Sequence, residues 1–466
     1  GGSALSGELT YHVYVNTDAP LTGKVNAGSS AVVPVQAREG MNTFVVTLTN
    51  AAGASPKARL SAYAGYDTPK SVDKLTLSVD AARRADLTWT APTATEHGGF
   101  LGALTYDLIR ITGTDTTQVA NGISDVHFAE VLPEGPLMGY RYAVRAHNQS
   151  QVTTWTNSNN AVVGSPIEPP FFDEFANAAD AELYTVIDNN NDQASWAWDK
   201  DPYTEQTAYR YHWSDTEKAD DWLLLPPLRL RAGKVYTFQF KAKSNGTDYT
   251  ERFEVKWGQA PNPAGLSTVI LNPTEVSTDE YQTFTNELRP QADGTYYIGF
   301  HALSDAGGYY LHIDSVSIAA PVAAAAPAAA ENLKGKADPS GKLLTTLTFD
   351  APKLKVDGTM LSNIERIEVR NGLRLVKAFT QPAPGASLTA TDNRATTGDN
   401  VYTVIAFNAD GAGATATKNI YVGQDQPATP VIAAEDLTNA VRLSWPAVGG
   451  ANGGLVIPEE VTYNIY

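Results

Sequence analysis

No cysteine occurs among the 466 residues, which excludes disulfides, thiolate metal sites and cysteine nucleophiles together and leaves the redox compartment open. Long apolar runs are missing too: the longest, Ile318 to Ala330, is alanine and proline with few large aliphatics, so no membrane insertion is expected. Neither an initiating methionine nor a basic region followed by an apolar stretch opens the chain, and Gly1 to Gly7 read as a cut end. Gly-x-Ser-x-Gly, His-Glu-x-x-His and phosphate-cradling glycine loops are absent, and the seven histidines are scattered. No catalytic residue is assigned and the chain reads as not an enzyme, although spacing alone does not exclude a glycosidase-type carboxylate pair. Positive charge is scarce, with 34 basic against 51 acidic residues and a formal charge of -17. Such a surface repels nucleic acid and anionic membranes and attracts cations, calcium among them.

What the chain has in quantity is 37 glycines, 27 prolines and 22 tyrosines, with 42% hydrophobic residues. That balance fits short strands joined by tight turns, an all-β class, and the length allows three to five domains at roughly 100 to 200 residues each. A repeat of about 95 residues appears when tyrosine-rich strands are aligned. Tyr142-x-Val144-x-Ala146-x-Asn148 recurs as Tyr402-x-Val404-x-Ala406-x-Asn408, and more weakly as Phe44-x-Val46-x-Leu48-x-Asn50. Upstream, Leu87-Thr-Trp89-Thr-Ala-Pro92 matches Leu347-Thr-Phe349-Asp-Ala-Pro352, and Leu443-Ser-Trp445-Pro-Ala447 repeats it near the end. These are period-two strands closed by a turn-forming asparagine or proline.

An aromatic on an early strand, a tyrosine on a late one and this period resemble the fibronectin type III module, a two-sheet sandwich. Bulky inward residues such as Trp89 and Tyr142 suit the space between two sheets, so both are assigned to core. Boundaries follow from proline: Asp67-Thr-Pro69, Ser165-Pro166-Ile-Glu-Pro169-Pro170 and Asp425-Gln-Pro427-Ala-Thr-Pro430 read as stiff joints. The expected organisation is a partial module over 1–66 holding later strands, a module over 67–168, a different domain over 169–320, an Ala/Pro linker over 321–331, a module over 332–425, and a second partial module over 426–466 holding first strands. Gly1-Gly2 precede Tyr11 as Gly453-Gly454 precede Tyr463 in Tyr463-Asn-Ile-Tyr466, so the chain starts and stops at one point of the repeat. The native protein is therefore expected to be longer at both ends, with complementation between the partial modules as a lesser alternative.

The segment 169–320 breaks the repeat and holds Trp196, Trp198, Trp213, Trp222 and Trp257. Its blocks run Phe171-Phe-Asp-Glu174-Phe175, Asp188-Asn-Asn190-Asn-Asp192-Gln-Ala-Ser-Trp196, Asp220-Asp-Trp222-Leu-Leu-Leu-Pro226-Pro, Tyr296-Tyr-Ile-Gly-Phe300-His-Ala302 and Leu311-His-Ile-Asp314-Ser-Val316. In that order they resemble the cleaved-adhesin domain of gingipain-type haemagglutinins and the anchor-associated jelly rolls of Bacteroidetes. Such domains are similar to galactose-binding-like and MAM-type sandwiches. The resemblance implies a calcium-stabilised jelly roll on a secreted or cell-surface bacterial protein. The family's acidic loop contains glycine, and here it has none.

Two cation readings follow from the residues. Asp188, Asn190 and Asp192 stand at alternate positions, from which oxygens converge when a loop curls round a hard cation, yet the same spacing also makes a polar turn. Glu174 and Asp314 lie between apolar residues at the two ends of the domain, where first and last strands of a sandwich pair. Facing carboxylates would share a calcium there, or else be capped by local amides. For ligand contact the candidates are Trp196 and Trp198, with Tyr203, Tyr209, Tyr211 and Trp213 nearby, and Tyr309 and Tyr310 beside Gly307-Gly308. Alternation also suits the first group to the core, which is the preferred reading. The expected function is adhesion to a host or matrix protein or a surface glycan. A carbohydrate-binding module and a passive spacer are the alternatives.

Overall fold

The computed structural model describes residues 7–201 and 206–464; Gly1, Gly2, Tyr203 and Tyr466 lie outside the described residues. The chain is all-β, its strands gathered into antiparallel sheets. It divides into two compact units, Gly1–Pro133 with Gly139–Ala161, and Glu134–Met138 with Val162–Tyr466.

In the first unit, Glu8–Val15 lies between Leu21–Asn26 and Gly40–Asn50, and Ala58–Ala64 pairs with the latter. Phe44, Val46 and Leu48, the weak form of the repeat, are only half-buried. Further on, Arg84–Thr90 runs between Asp73–Val79 and His127–Val131. Trp89 and Tyr142 are both buried, as inward aromatics of alternating strands must be, and Trp89 meets Tyr106 edge-on at 5.3 Å. Each burial of such a side chain contributes roughly 1.5–3 kcal/mol.

The repeat signature has a polar side that alternation does not reveal. The Tyr142 hydroxyl donates to Glu130 Oε1 at 2.6 Å, and in the second unit the Tyr402 hydroxyl donates to Asp392 Oδ2 at 2.9 Å. A buried phenol needs a partner, and in both places a carboxylate supplies it. The closing asparagine also does more than turn the chain: Asn148 Nδ2 donates to Asp67 O at 2.8 Å, and Asn408 Nδ2 to Ala325 O at 2.9 Å. Each pins the segment that enters its own sheet pair. The alanine and proline stretch is held by more than this side chain. Ala328 N donates to Leu354 O, Val356 N to Ala326 O, and Ala414 N to Pro327 O. A Cβ on Gly413 would overlap Pro327 O, so the close approach requires glycine there.

Within the second unit two six-stranded sheets face each other as a jelly roll. One runs Trp196–Lys200, Thr207–Tyr211, Leu311–Ala319, Tyr236–Lys243, Gln282–Leu288, with Phe171–Asp173 added to Leu311–Ala319. The other runs Thr185–Asp188, Asp221–Leu224, Gly294–Ala302, Glu251–Gly258, Thr268–Val276, with Leu228–Leu230 added to Gly294–Ala302. Period-two placement sends Phe238, Phe240, Phe253 and Phe300 inward, where all four are fully buried, and Phe240 meets Phe300 at 4.9 Å and 82°. This aromatic core fixes the register of the strand ends that carry the polar clusters.

Candidate functional site

The acidic loop and a strand remote in sequence come together at one end of the jelly roll. Thr185–Asp188 pairs with Asp221–Leu224 so that Asp188 lies opposite Asp221. The loop then curls back. Asp188 accepts the Asn191 amide at 2.6 Å and the Gln193 amide at 3.0 Å, with Asn191 (φ 58) and Gln193 (φ 68) in the left-handed region. Asparagine tolerates that region, and here it serves where a glycine would ordinarily stand. Carboxylate oxygens of Asp188, Asp192 and Asp221 all come within 4.8 Å of one another.

Asp221 gives this cluster its chemical tension. It is 0% exposed, and its Oδ1 has no hydrogen-bond partner among the described residues; Asp192 Oδ2 is likewise buried without one. Burial pushes the Asp221 carboxyl up to about 7, and the charges of Asp188 and Asp192 add to the rise. The Ser195 hydroxyl beside it lowers it in part but makes no bond of normal geometry. Three converging carboxylates, two with unsatisfied oxygens, suit a hard divalent cation taking six to eight oxygen ligands, which is the donor set of calcium. Asn190 fastens the loop through its Nδ2, which donates to Lys218 O at 2.9 Å, and its Oδ1 accepts the Asp192 amide at 3.4 Å.

Glu174 and Asp314 are arranged differently from the sequence expectation. First and last strands do pair, with Phe171 opposite Ile318 and Asp173 opposite Val316. Glu174, however, is exposed, and the buried carboxylate is its neighbour Asp173, which accepts the Phe175 amide and the Tyr184 hydroxyl, each at 2.8 Å. Asp314 accepts the Ser315 amide at 2.6 Å, the local capping that was the alternative. Burial raises the Asp314 carboxyl, and the Glu174 charge adds to that. Glu174 and Asp314 are not among the carboxylates that converge within 4.8 Å among the described residues, so these two are not assigned as ligands.

The tryptophans divide by position. Trp196 is core, 4% exposed, with its Nε1 donating to Asp221 O at 3.2 Å, and it is unavailable to a ligand. Trp198 is half-buried against the same core and donates to Phe175 O at 2.8 Å. Tyr209 and Tyr211 are also buried. Tyr309 and Tyr310, by contrast, join a surface cluster. Trp213 lies 4.5 Å from Tyr309 and 5.0 Å from Tyr310, and Tyr249 stacks on Tyr309 at 4.9 Å. Tyr249 is 39% exposed and the other three are partly exposed. The Arg210 guanidinium lies 4.3 Å from the Tyr310 ring, and His212 meets that ring edge-on. Beneath, the fully buried Glu251 holds the loop by accepting the Tyr309 amide at 2.6 Å.

Sequence reasoning missed Asp221, Tyr249 and Glu251 as site residues. The signal for Asp221 was a charge opening an otherwise buried strand, Asp221-Trp-Leu-Leu224, whose residues are all buried. Nothing local marked Tyr249 and Glu251, because only the fold brings the crossing between the two sheets that holds them to the 307–310 loop.

No family model and no curated protein matches the chain. Among solved structures it is similar to a cleaved adhesin domain of Lys-gingipain from Porphyromonas gingivalis, at 19% identity over 32% of this chain and 97% of that one, TM-score 0.27. It is similar also to a xylan-binding domain from Paenibacillus barcinonensis, at 10% identity over 33% of this chain and 95% of that one, TM-score 0.25. A glycoside hydrolase domain from Streptococcus pneumoniae is similar at 11% identity over 51% of this chain and 36% of that one, TM-score 0.25.

Proposed function

We propose that this chain is a non-catalytic, extracellular binding protein whose jelly roll engages a protein partner through Trp213, Tyr249, Tyr309 and Tyr310. The carrying observation is the patch itself: four partly exposed aromatic rings packed on one another, with Arg210, His212 and Asp215 around them. Large rigid side chains with a polar surround are the usual anchors of protein interfaces, where a few of them carry most of the binding energy. The ring arrangement favours protein over sugar. Tyr309 and Tyr310 meet at 68° and Trp213 and Tyr310 at 87°, so the rings cover one another's faces instead of presenting a coplanar row for pyranose stacking.

Calcium at Asp188, Asp192 and Asp221 belongs to the same proposal. When bound it would neutralise the three carboxylates and tie the loop to the strand. Asn189 and Asn190 already hold that loop to Asp220 and Lys218, and the segment from Trp213 to Asp221 joins the patch to the acids. The flanking sandwiches, of fibronectin type III pattern, would carry the jelly roll away from a cell surface.

The test is binding of the full chain, in calcium buffer, to a panel of purified matrix and serum proteins and to a glycan array, alongside Trp213→Ala and Tyr309→Ala. The expected result is a protein ligand bound at least about tenfold more weakly by both variants; Trp213 also packs against the jelly-roll core, so Trp213→Ala lowers the melting temperature as well and Tyr309→Ala carries the binding argument. Glycan binding lost in the same variants would replace this reading with a carbohydrate-binding module. No binding on either panel would leave a spacer.

A further inference from the structure

A second acidic site lies within the second unit, away from the patch and the acid cluster, where the jelly roll meets the sandwich that follows it. The turn between strands Arg366–Asn371 and Arg374–Thr380 inserts into the jelly roll. Leu373, 5% exposed, packs into the same apolar core as Phe171 and Phe175. Its amide donates to Asp180 Oδ2 at 3.2 Å, from the short helix Ala178–Ala181. Gly372 is in the left-handed region (φ 56), and a Cβ there would overlap the Asp180 carboxylate, so the turn fits only as glycine.

Beside this insertion lies an ionic half. Glu168 joins Arg231 of the jelly roll at 2.8 Å to Arg366 of the following sandwich at 2.7 Å. Arg370 donates to the carbonyls of Pro170 and Glu168, each at 3.1 Å. These charges are paired within the joint and ask for no proton.

Asp180 is not so served. It is 2% exposed, its Oδ1 has no partner among the described residues, and the Leu373 amide is a neutral donor. Of the groups that face it from each packed element only Arg374 is positive, and that guanidinium is bonded elsewhere. Asp173, on the first strand, is a second buried carboxylate. Tyr184 spends its hydroxyl on Asp173, and Tyr209 spends its own on Ala181 O at 2.8 Å. Arg374, on the inserting turn, has its guanidinium against Asp392 at 2.7 Å and Arg394 O at 3.1 Å. An unpaired charge in such a place is costly, and a carboxyl there is neutral instead.

We propose that this joint is a proton-linked clasp: the sandwich docks on the jelly roll with a proton held on Asp180, and the joint loosens when that carboxyl ionises. Burial raises the Asp180 carboxyl well above the ordinary range and the nearby Asp173 charge raises it further, while the Leu373 amide and the Arg374 charge offset only part of the rise. In the open joint water solvates the carboxylate; in the closed one it does not, so closing takes up one proton. Acidic surroundings therefore present the two domains as one rigid body, and alkaline ones give a hinged pair. The proposal does not depend on what the aromatic patch binds.

Because the chain has no cysteine, Thr283→Cys in the jelly roll and Lys418→Cys in the sandwich, both exposed, give one unique spin-label pair in the full protein. Pulsed electron resonance should give one narrow distance distribution at pH 5 and a broadened one at pH 9. The closed-to-open ratio should fall by up to about tenfold per pH unit while Asp180 titrates. Asp180→Asn, permanently neutral, should stay narrow at both pH values, and Gly372→Ala should be broad at both. A wild-type distribution of equal width at pH 5 and pH 9 would overturn the proposal, whether narrow or broad. So would an Asp180→Asn variant that keeps the wild-type pH dependence.

Discussion

Asp67 and Asp221 are both completely buried aspartates, one in each unit, and they are opposite in character. Asp67 accepts the His97 amide at 2.7 Å, the Gly99 amide at 3.2 Å and the His97 ring at 2.9 Å. Its burial alone would raise it, but these bonds outweigh the desolvation and hold the carboxyl far below the usual range. Asp425 repeats the device with the amides of Asn452 at 2.7 Å and Gly454 at 3.0 Å. Asp221 has the same burial, an oxygen without a partner and two further carboxylates in front of it. Burial therefore does not distinguish these two acids; the state of their lone pairs does.

The contrast breaks most visibly under calcium. If Asp221 awaits a cation, adding calcium at a hundredfold excess over its dissociation constant stabilises the full chain by about 2.7 kcal/mol, read as a rise in the jelly-roll melting transition over chelator. Asp221→Asn should lose that rise and, in chelator, melt no lower than wild type, since it removes a buried unpaired charge. A variant that melts several degrees lower in chelator would put Asp221 in the same structural class as Asp67. The reciprocal change is smaller. Asp67→Ala strands three backbone amides, of Thr68, His97 and Gly99, and should cost about 2 kcal/mol, equally with and without calcium. A calcium-dependent loss there would erase the distinction.

Much of this fold was legible because alternation and burial coincide. Trp89, Tyr142 and Tyr402 are inward residues of period-two strands, and the structure buries all three. Trp196 follows the same rule, and so its preferred assignment to core holds. The polar partners were less legible. Glu130 and Asp392 receive the tyrosine hydroxyls across strands whose pairing no local pattern specifies. At the candidate site the loop Asp188 to Asp192 was visible, but its convergence with Asp221 was not, because the strand that sets Asp221 opposite Asp188 is remote in sequence. Glu174 stood out in the sequence as a charge among apolar residues, and its neighbour Asp173 did not. Strand alternation decides between them, and the phase was not fixed until Phe171 and Asp173 were seen facing inward. Leu373, an apolar residue after a turn glycine, reads as a surface turn until a second domain covers it.

The dependence on pH separates the two acids by sign. Asp67 is depressed in the folded chain, so its contribution is present above the ordinary carboxylate range and is lost as pH falls through its folded value. Asp221 is raised to about 7, so in chelator its contribution is present below the ordinary range and is lost as pH rises toward 7. Calcium inverts the second dependence, because the cation requires the ionised carboxylate and competes with the proton. Its affinity should climb by up to about tenfold per pH unit between pH 5 and 7 and flatten above, as measured by calorimetric titration of the full chain. In Asp221→Asn the residual affinity should be weak and flat across that window. A wild-type affinity independent of pH from 5 to 8 would mean that Asp221 is not among the ligands, and that its unsatisfied oxygen has some other origin than a missing cation.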